Sequence, residues 1–235
     1  MNPELGHLGI AAAFWILIHL GLAASPLRAA IVARIGTRGF QGLFSLLSAA
    51  GLAWLAWSYR SAMQPDAFYG LRVVDGWMLW VPLIAMPFAL LLLVGSLTVP
   101  NPTLTQGERA LAQPEAARGI LRVTRHPMLW AFTLWALAHL IAKGDAASLM
   151  FFGSFALVAI NGMHSIDRKR AASDPKNWAR FAAATSILPF AAIASGRNRL
   201  VFAELGWWRI GLAFAAWAVI LLVHPYVFGV AAFPG

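Results

Sequence analysis

Six stretches of this chain are apolar over the length that a bilayer dictates, and they leave room for little else. A membrane-spanning helix needs about 20 mostly apolar residues. Such runs lie at about Leu8 to Ala24, Phe40 to Ser58, Trp77 to Leu97, His126 to Lys143, Ser148 to Met163 and Trp207 to Phe228. Of the 235 residues 60% are apolar and 11% charged, against roughly 25% charged in soluble domains, which excludes a soluble single domain. In hydrocarbon each backbone polar group must be satisfied internally, and runs of this length do so as helices. The sequence therefore predicts an all-α, polytopic transmembrane bundle of about six spans, with residues 1–235 forming a single membrane domain.

The net charge of +9 is an orientation signal rather than a nucleic-acid footprint. With six spans, one side receives Arg28, Arg34 and Arg38, then Arg109, Arg118, Arg122 and Arg125, then Arg168, Lys169, Arg170, Lys176, Arg180, Arg197, Arg199 and Arg209, which are 15 basic residues. The other side receives Arg60, Arg72 and Lys143. Cytoplasmic loops carry the Lys/Arg excess, so both termini are expected on the non-cytoplasmic side of the membrane. Membrane lipids with anionic headgroups are then the expected partners, and nucleic acid is not. Trp54, Trp57, Tyr59, Trp77, Trp80, Trp207 and Trp208 fall where interfacial anchors are needed.

The first run lacks a basic leader region and is read as a retained helix rather than a secretory signal. Ile187 to Ala194 is too short to cross and contains Pro189, so it is expected to be interfacial or re-entrant. Pro82 and Pro87 are expected to kink the third span. Glycine and alanine crowd every span, which fits closely packed helices. No phosphate-binding loop, dinucleotide fingerprint, zinc-protease motif or nucleophile elbow occurs. Cysteine is absent, which excludes disulfides, thiolate ligands and a cysteine nucleophile.

What remains is histidine within the membrane, where an ionisable side chain is costly enough to count as a functional candidate. His19, His139 and His224 lie within spans, with His126 and His164 at span ends. The bland reading of each is a neutral imidazole bonded to a neighbouring helix; the functional one is a ligand to haem iron, held by histidines from facing helices. Trp15-Ile-Leu-Ile-His19-Leu20 and Trp135-Ala-Leu-Ala-His139-Leu140 share a local pattern, a Trp one turn before His. The two halves of a six-span chain would have inverted topology, and a haem between His19 and His139 would take both as ligands.

A second constellation follows from the short Lys143-Gly144-Asp145 turn, which makes spans four and five a hairpin. It brings His126 and His164 to one end as an alternative metal pair, with Arg125 beside them and Asn161, His164 and Arg168 on one face of span five. Two readings stand open: an anion or proton-transfer site, or a helix start capped by Thr124 with Pro127 in its first turn and headgroup-anchoring arginines. Arg125 is equally suited to a carboxylate such as a haem propionate or to a phosphate.

The segments His19-Leu-Gly-Leu-Ala-Ala-Ser-Pro-Leu-Arg28, Thr124-Arg-His-Pro127 with Trp135 and His139, His164-Ser-Ile-Asp-Arg168, and Thr185-Ser-Ile-Leu-Pro-Phe190 together resemble the NnrU family. Its members are bacterial inner-membrane proteins associated with denitrification and nitric oxide metabolism, and the family is similar to zeta-carotene isomerase. The resemblance implies haem b with His19 and His139 as axial ligands, and Arg28 or Arg125 as propionate partners. It further implies an apolar polyene substrate undergoing cis–trans isomerisation, or a respiratory-chain partner. Without cysteine, exchange of a ligand to thiolate is impossible here. Two other classes compete. Membrane methyltransferases using S-adenosylmethionine also carry Arg-His-Pro at a helix start, but follow it with a Glu-Glu pair where this chain has Asp167-Arg-Lys-Arg. A non-enzymatic assembly protein for respiratory complexes would use its histidines only as interhelical hydrogen bonds.

Overall fold

The structure is a computed structural model describing residues 3–63, 70–71, 73–105 and 107–233. Arg72, counted above on the sparsely charged side, lies outside the described residues. Among the described residues ten α-helices follow in order: α1 (Pro3–Ile16), α2 (Leu27–Ala62), α3 (Trp80–Thr98), α4 (Glu108–Leu111), α5 (Pro127–Ala142), α6 (Ala146–Ser173), α7 (Pro175–Ala184), α8 (Ala191–Ala194), α9 (Phe202–Leu205) and α10 (Trp207–Phe228). A π-helical stretch, Leu17–Leu22, continues α1, and 3-10 turns occupy Gly76–Leu79 and Gly119–Arg122. Among the described residues there is no strand, only an isolated bridge between Gly70 and Asp145.

Each apolar run of the sequence is helical. Among the described residues five helical stretches are long and apolar enough to cross a membrane: Pro3–Leu22, Leu27–Ala62, Gly76–Thr98, Ala146–Ser173 and Trp207–Phe228. The sixth, α5, is apolar but has 16 residues, about 24 Å at 1.5 Å per residue, short of the roughly 30 Å of hydrocarbon. The fold is thus the expected all-helical membrane architecture, with five crossings supported by length and composition. The helix α2 extends beyond the expected span and breaks at Gly36, whose φ of 73° lies in the region glycine tolerates. Pro82 falls in the first turn of α3, where backbone donors have no intrahelical partner, and the helix runs on through Pro87.

The chain divides into two compact units, Met1–Val81 with Ala136–Gly162, and Pro82–Trp135 with Met163–Gly235. In the first, Leu8, Ala11, Trp15 and Leu55 are buried. Gly51 permits close approach of α1, since a Cβ there would lie 3.1 Å from Phe14. The expected hairpin turn is present: Asp145 opens α6 by accepting from the Ser148 amide (2.7 Å) and hydroxyl (2.8 Å). Tyr59 of α2 meets the same serine at 2.9 Å and stacks on Phe151 at 4.4 Å.

The second unit is built on Leu92, Val99, Leu111, Ile120, Leu121, Trp178 and Phe181. Gly95 lets α3 approach the 3-10 turn, for a Cβ there would meet Ile120 at 2.9 Å. Asp174 caps α7 by accepting from the Asn177 amide at 3.2 Å, ahead of Pro175. The stretch Ile187 to Ala194 folds as a turn followed by α8 rather than as a helix of its own length. Phe190 there has a φ of 63° and donates its amide to the Val123 carbonyl at 2.8 Å.

Candidate functional site

Two polar constellations stand out, each within one unit. The first centres on His19, which sits in the π-helical stretch after α1. Single π turns within helices are rare and frequent at functional sites; here the Ala23 amide reaches back to the Ile18 carbonyl at 3.1 Å. His19 Nδ1 lies 2.9 Å from the Trp15 carbonyl. A carbonyl only accepts, so in the neutral ring Nδ1 carries the proton and Nε2 presents a lone pair.

Around that ring the sequence supplies aromatic partners at helical spacing. Trp15 lies 4.1 Å away and Phe44 5.3 Å away, edge-on. Phe44 stacks on Phe40 at 6.1 Å, and the Arg28 guanidinium covers the other end of this row, 5.3 Å from the Phe40 centroid. Trp15 also packs on Phe155 of α6 at 5.0 Å. His139, in the last turn of α5, stacks on Phe152 at 4.9 Å. Phe151 touches both Phe152 and Phe155, so the surroundings of His19 and of His139 converge on the same turn of α6. Trp15 Nε1 is buried there without a hydrogen-bond acceptor among the described residues.

This donor set fits a non-covalently held haem: two imidazoles, one with its tautomer fixed by a backbone carbonyl, an apolar ring wall, a nearby guanidinium and no thiol. His224, the remaining in-span histidine, bonds to the Val230 carbonyl just past the end of its own helix at 2.8 Å. Among the described residues no three His, Asp or Glu side chains gather around a metal position.

The second constellation is at the start of α5. His126 is 1% exposed, and its Nε2 donates to Asp167 Oδ1 at 2.6 Å. Arg125 holds the other carboxylate oxygen through Nη2 at 2.6 Å and Nε at 2.9 Å, and lies over the Trp178 ring at 5.8 Å. His126 Nδ1 is left as a buried acceptor with no partner among the described residues. A carboxylate that orients an imidazole whose second nitrogen is open is the arrangement of metal-binding and general-base histidines.

The surrounding turn is stitched by residues far apart in sequence. Thr124 accepts from the His126 amide (3.3 Å) and donates to the Ile187 carbonyl (2.7 Å). Trp130 Nε1 donates to the same carbonyl at 2.8 Å, and the Arg125 amide to Ser186 at 3.0 Å. The segments Thr124–Pro127, 164–168 and 185–190 singled out in the sequence therefore meet in one place. His164 and Arg168 are exposed, and Asn161 bonds back to the Leu157 carbonyl at 2.8 Å. The partner of His126 is thus Asp167 and not His164, and Arg125 is engaged by the same carboxylate. Asp167 was missed as a partner, although its spacing three residues after His164 on α6 was a usable signal.

Beside this turn, Glu204 of α9 accepts from Arg122 Nε and Nη2, both at 2.8 Å, and from the Gly119 amide at 2.7 Å. The Arg122 hydrogen bonds hold its carboxyl below the usual glutamate range, against a smaller opposing effect of burial.

A family model described as NnrU protein matches residues 7–232. Among curated proteins, "15-cis-zeta-carotene isomerase, chloroplastic" of Arabidopsis thaliana is 29% identical over 212 residues, covering 85% of this chain and 53% of that protein. The protein of the same name from Zea mays is 35% identical over 86 residues, 35% of this chain and 22% of that protein. The chain thus spans about half, or less, of the length of these relatives. No solved structure matches significantly.

Proposed function

The chain belongs to the NnrU family, and from that premise we propose that it is a membrane-embedded isomerase of cis double bonds in a long apolar polyene, with haem b held by His19 and His139. The observation that carries the reading is the environment of His19: a π turn, an imidazole whose Nδ1 is tied to the Trp15 carbonyl so that Nε2 is the free ligand atom, and a wall of aromatic rings. The likeness to 15-cis-zeta-carotene isomerase over 85% of this chain supports the choice of substrate class. When bound, ferrous haem supplies isomerisation without net oxidation of the polyene.

The chain's own residues do the rest. The Trp15 carbonyl fixes the His19 tautomer and ring direction. Phe40, Phe44, Phe151 and Phe155 keep the neighbourhood apolar, which suits a hydrocarbon ligand and excludes water. Arg28, against Phe40, is the cation placed to take a carboxylate side group. Arg125 is the weaker choice for that task, since Asp167 already occupies it. The reading puts the protein in the bacterial inner membrane, and with α5 as a sixth crossing both termini lie outside the cytoplasm.

The test is direct. Haem-loaded, reduced protein in detergent is incubated in the dark with a 15-cis polyene, and the isomers are separated chromatographically. Conversion to the trans isomer by wild type and its loss in His19→Ala are expected. An unchanged substrate with fully loaded wild type would refute the isomerase.

A further inference from the structure

A cavity of about 310 Å³ opens beside the second unit's polar turn, lined by Val99, Pro100, Arg118, Gly119, Glu204 and Arg209. It sits where the end of α3, the 3-10 turn Gly119–Arg122 and the start of α10 come together. Its charge is unbalanced. Glu204 is the acidic residue of the lining, and both its oxygens are taken up by Arg122, with the Gly119 amide bonded to one of them. Arg209 is held by neutral groups: Nε donates to Thr98 Oγ1 at 2.7 Å, Nη2 to the Thr98 carbonyl at 3.2 Å, and the guanidinium lies 4.5 Å from the Trp208 ring centre. The Arg118 side chain lines the cavity without a hydrogen bond or ion pair among the described residues, and its charge reaches Glu204 only at longer range. Two guanidiniums therefore border a half-open cavity whose lining carboxylate, Glu204, is ion-paired with Arg122.

The backbone is shaped to keep Arg209 there. Gly206 has a φ of 77°, and a Cβ at that position would lie 2.7 Å from Arg209 Nη1. The first turn of α10 also carries no side-chain cap, so its amides add positive potential to the same end. Immediately outside, Trp207 is 81% and Trp208 56% exposed. Exposed tryptophans at the end of a spanning helix mark the headgroup level of a bilayer, which places the cavity where phosphodiesters are most abundant.

We propose that the Arg118–Arg209 cavity is a binding site for the phosphate of a lipid headgroup. Arg118 contributes a charge-assisted contact to the phosphate oxygens, and Arg209, pre-oriented by Thr98 and Gly206, contributes a second. The acyl chains leave past Val99, Pro100 and the exposed tryptophans. This site is independent of His19 and His139, and its failure leaves the proposed function untouched.

Native mass spectrometry of the full chain in detergent, titrated with phosphatidylglycerol, tests it. Wild type is expected to saturate with one tightly held lipid. Arg118→Gln is expected to weaken that adduct roughly fivefold, the weight of one basic residue at a membrane surface, and Arg209→Gln by at least as much. Since the Arg118 side chain supports no hydrogen bond, its replacement leaves the fold intact, which circular dichroism verifies. Arg168→Gln, on the exposed face of α6, is expected to change nothing. Equal lipid affinity in Arg118→Gln and wild type overturns the proposal, as does an equal loss in Arg168→Gln. A parallel arm adds inorganic phosphate. Displacement of the lipid by millimolar phosphate would assign the cavity to a free anion and overturn the lipid reading, whereas retention is expected.

Discussion

Replacing Asp167 by alanine removes the one carboxylate that holds both Arg125 and His126. The side chains of Arg125 and Asp167 are 14% and 15% exposed, and that of His126 is fully covered. Truncating one partner of a buried pair leaves an uncompensated charge and costs about 3–5 kcal/mol. The residual exposure of the pair favours the lower end, about 3 kcal/mol, which is roughly a 150-fold change in the folded-to-unfolded ratio. Glu204→Ala is the internal comparison. Its pair with Arg122 is 18% and 31% exposed, and a more solvated pair is worth about 1 kcal/mol. Asp167→Asn should fall between wild type and alanine, because the amide still offers His126 an acceptor but turns a donor toward Arg125. Reversible unfolding in mixed micelles, followed by circular dichroism, measures all three. A loss below about 1 kcal/mol for Asp167→Ala, or one equal to that of Glu204→Ala, would refute the claim that this carboxylate organises the turn.

Two further outcomes are expected. Because Arg122 depresses the folded-state pKa of Glu204, the clamp contributes stability that is present above the ordinary glutamate pKa and is lost as pH falls through the depressed value. Unfolding measured from pH 6 downward should show this loss, and Glu204→Gln should flatten it. In the first unit, Tyr59→Phe deletes the hydroxyl shared with Ser148 and should cost about 1 kcal/mol while leaving visible spectra of bound haem unchanged.

The helices were legible in the sequence because hydrocarbon forces apolar runs into helices whatever their neighbours. Their ends were less so. The helix α2 starts at Leu27, well before the expected Phe40, because Pro26 and Ser25 begin a helix in the basic loop itself; Ser25 Oγ accepts from the Leu27 amide at 3.2 Å. The Trp15–His19 pairing could be read from i, i+4 spacing, but not the π turn, which depends on which carbonyl an amide finds. The Arg-His-Pro turn stands out in the sequence, and the carboxylate that pairs with it does not. Spacing from the hairpin brought α6 opposite His126, but His164 and Asp167 lie three residues apart on nearly one face, so periodicity alone does not decide which turn of α6 meets the imidazole. Likewise, Ile187 to Ala194 was recognisable as too short to cross. Its use as a cover for the Thr124–Pro127 turn rests on backbone carbonyls, which carry no sequence signature.

The visible spectrum of the purified protein tests the central claim most directly. Protein from haem-sufficient cells is expected to show a Soret band that disappears in His19→Ala and in His139→Ala but persists in His126→Ala and His164→Ala. A folded, colourless wild type, or a band that depends on His126 and His164 and not on His19, would contradict the account.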